Sequence, residues 1–334
     1  MHPNDHFSPV NHSGPRKVIV ASALHPIDEF RDQEERIRGV EAIVDQAAKE
    51  AAQMYPGQRL DLIILPEEIL TGDSCAGTPA DRAVKLDGPE LERMRSKARE
   101  YQCYIVVPLT LADHKRPELF FNSTVLLDRA GETAGVYHKY HPVADRAGDK
   151  LEGGITPGNT FPVFDCDFGK LGIQICWDMS FEDGWLELAQ KGAEIVALST
   201  ASPQTAQPSS YALRGKYHVI SSTHKHNASV FNPIGRITKQ ITEQGVMVFQ
   251  LDLSYVLLHW SPTLNEGQSF KQKYGDRVDF IYYAEENTGM FWSNDRALPI
   301  QQMVKTMGEI EIADQLERSR LRENALRDAS NPLP

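Results

Sequence analysis

The sequence predicts a layered α/β fold with sheets covered on both faces. Two observations carry that expectation. Segments 17–24 (KVIVASAL), 61–65 (DLIIL) and 103–109 (CYIVVPL) are apolar almost throughout rather than alternating, which marks strands buried on both sides. Between them, apolar residues recur at helical spacing, so strands and helices alternate along the chain.

The elements follow in order. Residues 1–16 are polar, rich in Pro, His and Asn, and are expected to form a flexible arm. After the first strand, Ile37, Val40, Val44, Ala47, Ala51 and Met54 form the stripe of a long helix that Pro56-Gly57 ends. The second strand runs directly into Pro66-Glu67-Glu68. Asp87-Gly88-Pro89 opens another helix, with Leu91, Met94, Ala98 and Tyr101 as its stripe, and the strand at 103–109 follows. Residues 121–127 and 133–138 read as a hairpin around Asp128-Arg129-Ala130-Gly131, leading into His138-Lys139-Tyr140-His141. Further strands are expected at 161–164, 171–176, 195–199, 219–222 and 245–251, with helices at 182–190 and 210–217. Asn232-Pro233-Ile234-Gly235 is a turn between strands. Beyond about residue 255 the pattern weakens. A strand at 279–283 and a helix at 310–329 are all that stand out, the helix supported by pairs such as Glu323 with Arg327. The division is therefore an arm at 1–16, a main domain at 17–254 and an extension at 255–334 that packs on the domain or at a subunit interface.

Charge and cysteine usage exclude several classes. The formal net charge is −11 and no basic run occurs, so phosphate-mediated nucleic-acid binding is not expected. Cys75, Cys103, Cys166 and Cys176 form no Cys-x-x-Cys pair, which argues against a structural zinc site. The N-terminal residues lack the apolar stretch of a secretory signal, and no apolar run is long enough to span a membrane. A cytoplasmic protein with reduced thiols is expected.

Three residues stand out because each follows an expected strand: Glu67, Lys139 and Cys176. In α/β sheets, strand ends that face one edge converge, and ligands bind there. A carboxylate, an ammonium and a thiol brought together make a nucleophilic set. The carboxylate takes the thiol proton, the ammonium stabilises developing negative charge, and the thiolate attacks an electrophilic carbon. Taken singly, each residue also fits an ordinary role: solvated loop carboxylate, surface lysine, small buried cysteine.

The local motifs resemble the nitrilase superfamily of carbon–nitrogen hydrolases. Leu65-Pro66-Glu67, His138-Lys139-Tyr140-His141 and Leu171-Gly172-Ile173-Gln174-Ile175-Cys176-Trp177-Asp178 stand in the family's order, and Phe121-Asn122-Ser123, Thr156-Pro157-Gly158 and Asn232-Pro233-Ile234-Gly235 match its supporting turns. The resemblance covers roughly residues 17–252. It implies a four-layer α-β-β-α sandwich, a homodimer or higher homo-oligomer, and no metal or organic cofactor. It also implies a Glu67-Lys139-Cys176 triad that forms a thioester and releases ammonia or an amine, with the backbone N–H of Trp177 helping to hold the oxyanion. Glu67 is preferred over Glu68 because it directly follows the proline. Glu152 is the candidate for the family's second glutamate, one residue nearer the Pro-Gly turn than expected.

Trp177-Asp178 after the cysteine resembles the amidase and N-carbamoyl-amine hydrolase branches, and 199–203 (STASP) is expected to line the pocket. The substrate expected is a small linear amide or N-carbamoyl compound. A nitrile-converting nitrilase is the alternative, and a catalytically silent binding or assembly member is the alternative of another class. His224-x-His226 raises a metal-dependent hydrolase, but on one strand face and without a carboxylate ligand motif the pair argues little for it.

Overall fold

The computed structural model describes residues 14–72 and 77–330. Most of the expected arm and Cys75 lie outside the described residues. The chain divides into two compact units, 18–251 and a second made of the C-terminal residues from 252 onward with the segment up to residue 17.

The larger unit runs β1 (Lys17–Leu24), α1 (Gln33–Met54), β2 (Leu62–Ile64), α2 (Pro79–Arg82), α3 (Pro89–Tyr101), β3 (Tyr104–Ala112), β4 (Phe120–Leu127), β5 (Thr133–His138), β6 (Val163–Cys166) and β7 (Gly169–Ile175). It continues through α4 (Asp183–Gln190), β8 (Ile195–Thr200), α5 (Ala206–Gly215), β9 (His218–Thr223), β10 (Ala228–Phe231), β11 (Ile237–Ile241) and β12 (Gly245–Asp252). The strands pair in the order β5-β4-β3-β2-β1-β9-β8-β7-β6, with β10 joining β9, β11 joining β10, and β12 joining β1. This is the expected α-β-β-α arrangement, with one continuous pairing network running through both β layers.

Local chemistry explains the helices on one side. Asp32 caps α1 by accepting from the backbone N–H of Glu35 at 2.8 Å. Val40, Val44, Ala47 and Ala51 bury one face of α1; Leu91, Met94 and Ala98 do the same for α3. Both faces pack with Ile63, Ile105 and Val125 in one apolar core. On the other side, Trp185 of α4 stacks on Tyr211 of α5 at 4.6 Å. Gly172 lets α4 come close to β7, because a Cβ there would lie 3.0 Å from the Leu188 side chain.

Some expectations need correction. Met54 ends the α1 stripe but is 52% exposed. The helix expected at 210–217 lies earlier, at Ala206–Gly215, so Tyr217 is a buried residue leading into β9. The strand expected to include Cys176 stops at Ile175, and Cys176 begins a short 3₁₀ turn.

The smaller unit has more structure than its sequence suggests. β13 (Tyr255–His259), α6 (Gln268–Tyr274), β14 (Val278–Tyr283), β15 (Thr288–Ser293), α7 (Ile300–Met307) and α8 (Ile312–Ser330) follow one another. The antiparallel sheet β13-β15-β14 shares a core of Val256, Leu258, Phe270, Val278, Phe291 and Met303 with α6 and α7.

The strand directions decide where chemistry gathers. β1, β2, β7, β8 and β9 are mutually parallel where they pair, so their C-terminal ends share one edge. β5 joins the same direction through two antiparallel pairings from β3. Glu67, Lys139, Cys176, Thr200 and His224 all stand at or just past those ends.

Candidate active site

The structure brings Glu67, Lys139, Glu152 and Cys176 to one place. Lys139 is buried, with 1% exposure. Its Nζ donates to Glu67 Oε1 at 2.8 Å and to Glu152 Oε1 at 2.6 Å. Asn122 braces both carboxylates, donating through Nδ2 to Glu67 Oε1 at 3.0 Å and to Glu152 Oε2 at 3.1 Å. The second oxygen of Glu67 accepts from the backbone N–H of Ala201 at 3.0 Å, and Val143 N–H donates to Glu152 at 3.0 Å. The Cys176 thiol meets the Thr200 hydroxyl and the Ala201 backbone, within electrostatic reach of Glu67 and Lys139.

These groups shift one another's protonation. Burial pushes the Cys176 thiol up to about 12, and the Glu67 charge adds to that; Lys139, the Thr200 hydroxyl and Ala201 pull the other way. Burial alone would raise Glu67, but the Lys139 charge and hydrogen bond outweigh it and hold the carboxyl below its ordinary range. Lys139 is held well above its ordinary value: burial opposes its charge, and Glu67 and Glu152 overcome that. The resting site is therefore a neutral thiol beside a lysinium shared by two carboxylates. The thiol can be activated only by passing its proton to a neighbour, and Glu67 is the carboxylate whose charge it feels.

The backbone at the site is strained. Cys176 has φ +41°, Glu152 φ +43° and Glu68 φ +50°, left-handed values that side-chain-bearing residues rarely adopt. Such outliers gather where function over-determines the local geometry. At Cys176, the turn presents the thiol at the end of β7, and the backbone N–H of Trp177 falls in the first turn of the 3₁₀ segment, where no intrahelical acceptor exists. The Trp177 side chain is 41% exposed.

Glu68 takes other partners than Lys139, although its carboxyl stays within electrostatic reach of Glu67 and Glu152. It accepts from the Thr110 hydroxyl at 2.7 Å and lies 3.6 Å from Arg82. In 199–203, only part of the segment meets the thiol. The Ser199 hydroxyl instead donates to the Leu65 carbonyl at 2.8 Å, tying the ends of β2 and β8 together. His224 and His226 lie in the bend between β9 and β10, not on a strand face. His224 Nε2 is 2.7 Å from the Glu67 carbonyl oxygen, and His226 is exposed. Among the described residues, no group of three or more His, Cys, Asp or Glu is arranged to hold a metal ion. The segment expected to line the pocket does supply Thr200 and Ala201 at the thiol, while the contact of His224 with the Glu67 carbonyl was not foreseen. Asn122 stood in a quoted motif, but no signal in the chain showed that it joins the two carboxylates.

A buried Glu-Lys-Glu cluster thus stands beside a cysteine at a strand-to-turn elbow. The profile of the carbon–nitrogen hydrolase family matches residues 20–257, and the chain belongs to that family. Among curated relatives, it is 30% identical over 141 residues to a probable nitrilase of Schizosaccharomyces pombe, a match covering 42% of this chain and 50% of that one. It is 30% identical over 159 residues to the N-carbamoylputrescine amidase of Arabidopsis thaliana, covering 46% and 51%. These matches span about half the length of the relatives. Among solved structures, a nitrilase-superfamily member from Saccharomyces cerevisiae aligns with a TM-score of 0.61 at 17% identity, over 78% of this chain and 95% of that one. An amidase from Nesterenkonia aligns with a TM-score of 0.56 at 18% identity, over 74% and 94%. The sheet network with helices on both outer faces is the fold of those neighbours.

Proposed function

We propose that this protein is a cysteine-dependent carbon–nitrogen hydrolase acting on a small linear amide or N-carbamoyl compound. The observation that carries the reading is the buried Lys139 ammonium held between Glu67 and Glu152 beside the Cys176 thiol. Glu67 takes the proton from Cys176 Sγ as the sulfur attacks the carbonyl carbon. Lys139 Nζ and the Trp177 N–H hold the oxyanion. Glu67 then gives its proton to the leaving nitrogen, the carbon–nitrogen bond breaks, and a thioester remains. Water, losing a proton to Glu67, attacks the thioester; the sulfur leaves and recovers that proton. Every step uses residues already in place, so the mechanism calls on no cofactor. Glu152 orients Lys139 and keeps it charged.

Relatives named N-carbamoylputrescine amidase and citrullinase favour a carbamoyl substrate. A relative named as a probable nitrilase supports the second reading, conversion of a nitrile to an acid. An ammonia-release screen over amides, N-carbamoyl amines and nitriles tests both. Turnover of the first two classes, lost in Cys176→Ala, is expected; turnover of nitriles alone selects the second reading. No turnover of any class, with Cys176 unreactive to iodoacetamide, returns the chain to a silent binding member of the fold.

We place the enzyme in the cytoplasm as a homodimer or higher homo-oligomer, without nucleic-acid or membrane partners. In support, the described cysteines Cys103, Cys166 and Cys176 are all free thiols. No helix among the described residues is long and apolar enough to cross a membrane. Phe181 and Leu213, 40% and 42% exposed beside α4 and on α5, offer apolar surface for association.

A further inference from the structure

Asp178 is fully buried, two residues past the nucleophile, and it makes no contact with the Glu67 or Glu152 carboxylates. Its Oδ2 accepts from the Tyr137 hydroxyl at 2.8 Å and from the backbone N–H of Ile175 at 2.9 Å. Its Oδ1 accepts from the backbone N–H of His141 at 2.9 Å. The Tyr137 hydroxyl in turn accepts from Tyr140 N–H at 3.3 Å and from Gln174 Nε2 at 3.4 Å. The backbone carbonyl of Asp178 receives the indole N–H of Trp185 at 3.1 Å, which fixes the turn to α4.

These bonds have a pattern. Ile175 immediately precedes Cys176, and Tyr140 and His141 immediately follow Lys139. One carboxylate therefore grips the chain on one side of the nucleophile and on the far side of the lysine, which follow strands on opposite sides of β1 in the pairing order. A charged acceptor of three donors is far stiffer than a neutral one, since charge-assisted bonds are shorter and stronger. Burial raises this carboxyl above its ordinary value, while the Lys139 charge and the donors from Ile175, Tyr137 and His141 pull it back toward the ionised form.

We infer that Asp178 is a positioning residue of the proposed hydrolase, a carboxylate clamp that sets the separation between the Lys139 ammonium and the Cys176 sulfur. It touches neither sulfur nor substrate, and acts by fixing the two backbone segments that carry the reacting side chains. The need for an acid at this position follows from the donors. An amide has one oxygen, so in an asparagine either the Tyr137–Ile175 pair or the His141 N–H would face an NH₂ group instead of an acceptor.

This inference rests on the proposed hydrolase chemistry, and the test separates the two. Asp178→Asn is compared with wild type in kcat, KM and the pH profile of Cys176 alkylation by iodoacetamide, followed by peptide mass mapping. Cys103 and Cys166 serve as internal references. In wild type, Glu67 takes the thiol proton, so alkylation at Cys176 is expected to level off by neutral pH. In Asp178→Asn it is expected to climb about tenfold per pH step, as an unassisted thiol does. The expected loss in kcat is about 10²-fold, the scale of an ångström-sized misplacement, with KM within about twofold. Tyr137→Phe, which keeps the carboxylate and removes one donor, is expected to lose about tenfold in kcat and keep the alkylation plateau. A folded Asp178→Asn with wild-type kcat and alkylation profile overturns the clamp, even if its melting temperature falls. If Asp178→Asn does not fold, an unchanged kcat in Tyr137→Phe overturns it. If wild type turns over no carbon–nitrogen substrate, the functional reading fails, while the alkylation profiles still decide the clamp.

Discussion

Glu68 makes the pH dependence of stability predictable. Its carboxyl is buried beside the Glu67 charge, and those two effects raise it from its ordinary 4.5 to about 7, against the Thr110 hydrogen bond and Arg82. In the unfolded chain the group titrates near its ordinary value. Between those two values the native state binds more protons than the unfolded state, so this group makes stability fall as pH rises through that window. With a folded value near 7, the penalty is about 1 kcal/mol at pH 5 and about 3 kcal/mol at pH 8. Glu68→Gln keeps the size and the Thr110 contact but removes the titration. Relative to wild type, the variant should therefore gain about 2 kcal/mol between pH 5 and pH 8. Urea unfolding of both proteins at the two pH values, followed by tryptophan fluorescence, measures this gain. A stability difference that stays the same at both pH values, or that moves toward wild type as pH rises, refutes the reasoning. It would mean that Arg82 keeps Glu68 ionised throughout.

Three further outcomes follow from the geometry. Cys176→Ala should abolish ammonia release while the melting temperature stays close to wild type, since the proposed role of the thiol is attack rather than packing; turnover by that variant would remove Cys176 from the mechanism. Lys139→Ala should lose about 10²- to 10³-fold in kcat and also cost about 3–5 kcal/mol of stability, because Glu67 and Glu152 are left buried without their cation; a variant that only raises KM counts against the oxyanion role. Gly158→Ala should destabilise the protein and slow it together, because a Cβ there would sit 2.2 Å from the carbonyl oxygen of His138, the residue before Lys139, while the Gly158 N–H donates to the Lys139 carbonyl at 2.8 Å. Calorimetry and initial rates on the same preparation check both effects, and wild-type values in either would show that the loop yields freely.

Much of the larger unit was legible because its strands are buried on both faces. A run such as KVIVASAL has little alternative to a central strand, and Pro89 and Gly192 mark helix boundaries by their backbone chemistry alone. The smaller unit was legible only in part. β14 and α8 fall where a strand and a helix were expected, whereas α6 and α7 span only Gln268–Tyr274 and Ile300–Met307, too short to show a full apolar stripe. The three motif residues could be singled out because each follows a strand. What surrounds them could be singled out only in part, through Glu152 and the segment 199–203. Ala201 contributes a backbone N–H, which no side-chain pattern encodes, and His224 reaches the Glu67 carbonyl from 157 positions away. Ser199 belonged to a segment expected to line the pocket, yet its hydroxyl is taken by Leu65, because a buried hydroxyl must find an acceptor wherever one is nearest.

The pairing order of the large sheet separates the reacting groups by origin. Glu67 and Lys139 come from the strands on one side of β1, and Cys176 and Ala201 from those on the other. Neither half alone brings the Cys176 sulfur together with the Glu67 carboxylate and the Lys139 ammonium. A chain emerging from synthesis, or one half-opened by heat, thus carries an ordinary thiol with its ordinary sluggishness toward amides. On the proposed mechanism, hydrolytic power requires both halves to be joined along β1, so it would arise only in the finished fold.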